Sequence, residues 1–575
     1  MKSDIITGKI IPILIAVTVL GSVFMVQTNS RTSILIKETV YVVGTSAALF
    51  LLALHVALGG RLISSRLNLK MVVSFLVLMA WMVFMYHSGI HSVNARQYMF
   101  GTFSLGVLVF LMTVSFRDVN RDMLLWVLVS ATALLSLYSI LQSQGIIIFP
   151  WDAGLTRAAR SSGTMGNANL LGSFAMAMLP AGTGFLLSRK KLGRFHPFIG
   201  ATFAVLCMGA LLVSKTRGSL IGVAAVLAAV PFFRFVRKDR KRLLAVVLVL
   251  ALLLAGAVLF LGNRMEELAE TDSGGTFQVR KLIWTGTLSM VLQNPLTGYG
   301  PGSFQIVFPQ FRNPGYFLLG VSHNTLHAHC EYLEIIVDTG IIGLLLWAAA
   351  AGFIFMKVFS RRNRIFPVVE TDGSTARFTA MGLVLGIVAL LAEATVSVGL
   401  RWPPSALLLA MFTGLLLTCI KSEYVRLNGV KRVTAVAGLL AAALLLAAVA
   451  LPNYLRSMKS GRELFRGKDM NLVHIQPNLQ MAAEAAAEWR RNGSDNAMQN
   501  ALQYFYNARM AADSALTWCE KCVETNPDDL GGWYALGSAY VSSARLYQQV
   551  TPSLTDILAI NGIEAENWTE ANRLM

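Results

Sequence analysis

The stretch "EYLEIIVDTGIIGLLLWAAAAGFIFMKVFSRRNR" (331–364) decides how the whole chain is read. It opens with Glu331, Glu334 and Asp338 at i, i+3 and i+7, so a helix carries all three carboxylates on one face. The residues that follow stay apolar for long enough to cross a hydrocarbon core of roughly 30 Å. A basic cluster, "SRRNR" (360–364), closes the run. Acids at a membrane boundary are costly, so this face calls for a polar neighbour and a reason to exist. The loop that precedes it, or Arg217, is the expected neighbour.

Similar apolar runs recur along most of the chain. Hydrophobic residues make up 55% of 575, charged residues only 14%, and the mean hydropathy is +0.58. Soluble proteins carry about a quarter charged residues. Spans are expected near 10–27, 39–58, 71–86, 98–115, 123–141, 168–187, 197–214, 218–233, 243–262, 332–356, 376–396, 404–420 and 433–452. The chain therefore reads as an all-α polytopic membrane protein with about 13 transmembrane helices. A closed barrel would need alternating strands of about ten residues, and that pattern is absent. The first run lacks a small-residue cleavage site and reads as a retained span.

Lys and Arg collect on one side of these spans, in "SRKKLGRFH" (188–196), "RFVRKDRKR" (234–242) and "SRRNR", which places that side in the cytoplasm. Most of the formal net charge of +18 is this topological signal, so anionic lipid explains it and nucleic acid is not required. The other face holds a long loop, 263–331, and a second long segment, 143–169; a loop of that length is usually functional. The transmembrane domain is expected to span 1–452, and a helical domain on the non-cytoplasmic side 453–575, the periplasmic side if the resemblance given below holds. In the latter, "GGWYALGSAY" (531–540) fits the tetratricopeptide pattern with Trp533, Leu536, Gly537 and Tyr540. Leu502 and Tyr506 fill two of the same slots one period earlier, so repeats are expected at about 496–550 as a surface for a protein partner. The five cysteines are scattered and odd in number, which argues against a disulfide framework. Cys519 and Cys522 are expected to be packing residues.

Three stretches on the non-cytoplasmic face bear chemistry. In "LLVSKTRGSLIG" (211–222), Lys215 and Arg217 sit where positive residues are disfavoured. Snorkelling to headgroups is the plain reading, and an anionic ligand the functional one. "FQVRKLIWTGTLSMVLQNP" (277–295) has amphipathic spacing through Val279, Leu282, Ile283, Leu288, Val291 and Leu292, with Arg280 and Lys281 near its start. His323, His327 and His329 precede the acidic helix mouth. No H-E-x-x-H arises, so a zinc protease is disfavoured. A near-neutral histidine suits general-base work on a hydroxyl. Glu393 is expected to pair with Arg401 or with another helix.

These residues carry a resemblance. The succession S-x-T-R-G, R-x-x-x-W with N-P-x-x-G-x-G-x-G-x-F, and H-x-E-Y-L-x-x-x-x-[DE]-x-G-x-x-G resembles the O-antigen ligase and polymerase family. "SGTMGNANLLGSFAMAMLP" (162–180) resembles its G-T-x-G-N-x-N segment. The resemblance implies a C-type membrane glycosyltransferase of the bacterial inner membrane. Such an enzyme moves a glycan from an undecaprenyl diphosphate carrier to an acceptor hydroxyl on the periplasmic face, with inversion and without a metal or other cofactor. The implied acceptor is lipid A core, a growing glycan, or a protein hydroxyl. It implies catalytic roles for Arg217, Arg280 and His329, with Lys215, His323, His327 and Glu331 among the substrate-binding residues. Cys330 departs from the family's Asn after the histidine, and "HNTL" at His323 is a rival register. His329 is preferred because Glu331, Tyr332, Leu333, Asp338 and Gly340 all align from it. A transporter or flippase of lipid-linked sugars is the rival of another class; it would favour internal repeats, which are absent.

Overall fold

The structure is a computed structural model that describes residues 2–25, 34–89, 93–148, 160–188, 195–229, 276–318, 325–360, 374–469, 474–548, 556–557 and 559. The expected span 243–262, the loop 234–242, most of 188–196, and His323 lie outside the described residues. The chain divides into two compact units, the larger made of residues 1–28 and 36–451 and the smaller of residues 29–35 and 452–575.

The larger unit is helical. Its first half holds α1 (Ile11–Phe24), α2 (Ile34–Ala57), the short strand β1 (Arg61–Ile63), α3 (Leu69–Ser88), α4 (Val93–Ser115) and α5 (Asp118–Ser143). Next come α6 (Ala168–Leu187), α7 (His196–Ser214), α8 (Arg217–Ala229) and α9 (Thr276–Gln293). After these follow α10 (Glu331–Phe359), α11 (Ser374–Glu393), α12 (Pro403–Thr418), strand β2 (Tyr424–Arg426) and α13 (Gly429–Leu445). Among the described residues, nine helices are long and apolar enough to cross a membrane, and three shorter ones (Arg217–Ala229, Phe378–Glu393, Pro403–Thr418) are apolar. They fall on twelve of the expected spans.

Helix α6 is the hub. It is buried nearly all round, through Leu170, Leu171, Phe174, Met176, Met178 and Phe185, as a helix apolar on every side must be. Its partners α7 and α11 pack along it, and α8 packs on α11. Small residues set the closeness of α6 and α11: a Cβ at Gly184 would stand 2.6 Å from the Phe378 carbonyl, and one at Gly382 2.5 Å from that of Pro180. Small-residue contacts of this kind let apolar helices gain packing energy where no hydrophobic drive exists between them.

Two features of one bundle end were not read from the sequence. Strands β1 and β2 pair antiparallel, Leu62 opposite Val425. Beside them the buried Arg66 donates from Nε to the Ile420 carbonyl (3.0 Å), and from Nη2 to that of Thr418 (2.8 Å) and the Ser422 hydroxyl (2.8 Å). Its Nη1 donates to the Phe116 carbonyl (2.5 Å). One guanidinium thus satisfies carbonyls at the C-terminal ends of α4 and α12, where the helix dipole also favours a cation.

Between α9 and α10 the chain builds a small apolar core of its own from Ile283, Met290, Phe304, Val307, Phe308, Tyr316, Ala328 and Val337. Leu288 and Leu292, expected on the apolar face of α9, are exposed. At 3.6 residues per turn they lie opposite Ile283 and Met290, which are the ones buried.

In the smaller unit, α14 (Leu451–Asp469), α15 (Gln476–Asn492), α16 (Asp495–Thr525) and α17 (Leu530–Gln548) surround an alanine-rich core. Cys519 and Cys522 are buried free thiols. The positions read as an earlier half-repeat, Leu502 to Cys522, lie on the single 31-residue helix α16 and form no hairpin. The sequence from 503 to 524 has neither Gly nor Pro to break it. Trp533 and Tyr534 on α17 are exposed, whereas Leu536 is buried.

Candidate functional site

The end of the bundle opposite Arg66 is where α6, α8, α10 and α12 begin and α11 ends. The start of α6 meets the α7–α8 turn directly: the Thr216 hydroxyl donates to the Ala168 carbonyl (3.0 Å). Asn167 caps α6, its side chain accepting from the Asn169 N–H at 2.8 Å. Arg160 ties these pieces together, donating from Nε to the Ser214 carbonyl (2.9 Å) and from Nη2 to the Asn169 side chain (2.7 Å). The two segments "SGTMGNAN" and "SKTRG" are therefore one structural object. Glu393 closes the junction from the end of α11, where its Oε1 accepts from the hydroxyls of Ser173 (2.7 Å) and Ser219 (3.0 Å). Its partners are these serines and not Arg401.

Arg217 is the first residue of α8 and is exposed, while Lys215 forms the left-handed turn just before it, with φ of 49°. Arg280, near the start of α9, is half-buried. Arg217 lies within electrostatic reach of both Arg160 and Arg280: burial, then the Arg217 charge, holds each of them below the ordinary arginine range. Arg160 was not singled out by sequence; only its place just before the "SSGTMGNAN" turn marked it. Four helix N-termini open on the same end, adding a positive field suited to an anion.

His329 joins this group from the loop before α10. Burial first, then the Arg280 and His327 charges, push its imidazole down to about 4, against an opposing pull from Glu334. It is therefore neutral near pH 7 and able to accept a proton. Its backbone is left-handed, with φ of 54°. Among the described residues His329 and Lys215 alone are non-glycine with positive φ, and such strain clusters at functional sites. The loop is pinned from α9, where the Trp284 indole N–H donates to the Ala328 carbonyl at 3.0 Å.

The acidic face of α10 turns away from these cations. Arg401, in the turn before α12, answers it: Nε lies 3.2 Å from both Glu331 and Glu334, and Nη1 donates to Asp338 at 2.7 Å. Its guanidinium also stacks over the Tyr98 ring at 4.6 Å. Burial works against the Arg401 charge, but Asp338, Glu331 and Glu334 outweigh it and hold it well above the ordinary arginine range. Of the two expected neighbours, the long loop does meet this face, through His327 and the Ala328 N–H at Glu334, but the cation is Arg401, 63 positions beyond Asp338, and not Arg217. Glu331, expected among substrate-binding residues, is buried in this ion cluster. His327 belongs to it as well, Nδ1 standing 2.7 Å from Glu334 Oε1.

Below the cluster α10 breaks at Gly340, with φ 69° and ψ −179°. The break frees carbonyls that the glycine-rich loop takes up: Tyr299 N–H donates to Val337 (2.7 Å) and Gly300 N–H to Asp338 (2.9 Å). Conversely the Ile341 N–H donates to the Pro295 carbonyl at 2.9 Å. This explains why the N-P-x-x-G-x-G stretch and the D-x-G stretch occur together. An open cavity of about 540 Å³ lies nearby, lined by Phe84, Ser88, Asn294, Thr297 and Tyr299, and holds none of the expected site residues.

A bundle with nine described helices long and apolar enough to cross a membrane is that of a multi-pass membrane protein. Residues 202–348 match the family model described as O-antigen ligase, which supports the resemblance to the O-antigen ligase and polymerase family. No curated protein matches the chain.

Proposed function

We propose that this protein transfers a glycan from a lipid diphosphate carrier, of the undecaprenyl type, to an acceptor hydroxyl at the periplasmic face of the bacterial inner membrane. The observation that carries the reading is the chain of neighbouring charges in which Arg217 acts on Arg160 and Arg280, and Arg280 acts on His329. Breaking the glycosidic bond puts negative charge on the diphosphate, and fixed guanidinium forks stabilise it in a partly dehydrated site. Arg217 and Arg280 take this role, with Lys215 at their flank; the cations do the work that a metal performs elsewhere. His329 removes the acceptor proton as the hydroxyl oxygen attacks, giving inversion in one displacement. Lipid A core or a growing glycan is the proposed acceptor. The smaller unit, from Pro452, is a proposed docking surface for a partner protein.

The test is transfer from an undecaprenyl diphosphate glycan by purified protein in liposomes, with chelator present. Wild type should transfer, and Arg217→Ala, Arg280→Ala and His329→Ala should each lose about 10²-fold or more. Carrier lipid that crosses the bilayer with no transfer would make the protein a transporter.

A further inference from the structure

This inference rests on the transferase reading and adds a second proton-handling group to it. His329 is a good place to take a proton from and a poor place to leave one. Burial and the neighbouring Arg280 charge disfavour its protonated form. A base so placed needs an exit for the proton after each turnover.

The exit is two residues away. His327 Nδ1 lies 2.7 Å from Glu334 Oε1, while the other Glu334 oxygen accepts the Ala328 N–H, also at 2.7 Å. Both oxygens of the carboxylate are engaged, so it holds the imidazole in one orientation, as a carboxylate does for a catalytic histidine. The Trp402 ring meets the same imidazole edge-on, with centroids 5.2 Å apart. Behind Glu334 stand Glu331 and Asp338, and these three carboxylates share one guanidinium, Arg401. The charged or titratable groups around His327 are thus Glu331 and Glu334 from α10, Arg401 from the turn before α12, and His329 from its own loop. Negative charge predominates around His327, whereas Arg280 dominates around His329. The His327 side chain is 23% exposed, so the pair is open to solvent on one side.

We propose that the His327–Glu334 pair is the proton exit of the transfer reaction, receiving from His329, directly or through one water, the proton removed from the acceptor. The acceptor O–H bond breaks as its oxygen bonds to the anomeric carbon. The bond from that carbon to the diphosphate breaks, and its electron pair leaves on the diphosphate. The proton passes from His329 to His327 and then to solvent. His327 touches no reacting atom in this scheme and acts through His329.

The test uses the full-length protein in liposomes with the undecaprenyl diphosphate donor. His327→Gln and Glu334→Gln should lower kcat at least tenfold, with KM for the donor unchanged within twofold. Imidazole in the buffer should restore activity to His327→Ala and leave wild type unmoved. A purely structural role would lower the folded fraction and give no imidazole rescue. Wild-type kcat in His327→Gln, or a folded His327→Ala that imidazole does not restore, overturns the proposal. Should His327→Gln unfold, Glu334→Gln, which keeps the shape of the pair, is read in its place: unchanged kcat there overturns it too. Absence of transfer by wild type would instead sink the transferase reading itself.

Discussion

Replacing Gly340 with alanine tests whether the break in α10 is built in. The residue has φ 69° and ψ −179°, a conformation open essentially to glycine, and forcing a side chain into it costs roughly 1–3 kcal/mol. A Cβ there would also overlap the Leu296 carbonyl, so α10 and the glycine-rich loop must part. Parting endangers three backbone bonds, Tyr299 to Val337, Gly300 to Asp338 and Ile341 to Pro295, each worth about 1 kcal/mol net. Strain and lost bonds together give about 4–6 kcal/mol. The control lies on the same helix: a Cβ at Gly352 meets nothing within 4 Å, so Gly352→Ala should be neutral or stabilising by about 0.5–1 kcal/mol. Unfolding both variants in mixed detergent micelles measures the difference. A loss below about 1 kcal/mol for Gly340→Ala, or an equal loss for Gly352→Ala, would refute the reasoning.

Four further outcomes are expected. Arg66→Ala should destabilise the bundle by several kcal/mol, since each bond from a buried charged donor contributes roughly 1.5–3 kcal/mol, and Arg66→Lys should rescue little because one ammonium cannot reach all four acceptors; detergent unfolding reads both. Cys330 caps α10 without a side-chain bond, so Cys330→Asn should stabilise by about 0.5–1 kcal/mol, seen as a raised melting temperature with transfer retained. His329 sits below its unfolded value, so the unfolded chain binds the extra proton between the ordinary histidine range and about 4, and stability falls as pH drops through that window. Removing the adjacent positive charge with Arg280→Gln should move the His329 titration upward, as followed by NMR of labelled histidine; no movement would contradict the assigned contact.

Much of this was legible in sequence because membrane helices announce themselves. Backbone groups in lipid must be satisfied internally, so length and apolarity alone located twelve described helices. The acidic face of α10 was legible too, since spacing fixes which side chains share a face. Its partner was not: Arg401 looks like any arginine at a span's edge, and only tertiary packing brings it to Glu331, Glu334 and Asp338. Arg66 was hidden for the same reason, among loop arginines that the topological charge bias already explains. The half-repeat in α16 misled because pattern matches at one period do not supply the helix breaker a hairpin requires.

The most direct test of the central claim is a single-turnover measurement of glycan transfer from the undecaprenyl diphosphate donor. It compares wild type, His329→Ala and Arg217→Ala in liposomes containing chelator. The account predicts rapid transfer by wild type, loss of the chemical step with donor binding retained in His329→Ala, and loss of donor binding in Arg217→Ala. Wild-type rates in His329→Ala would contradict it.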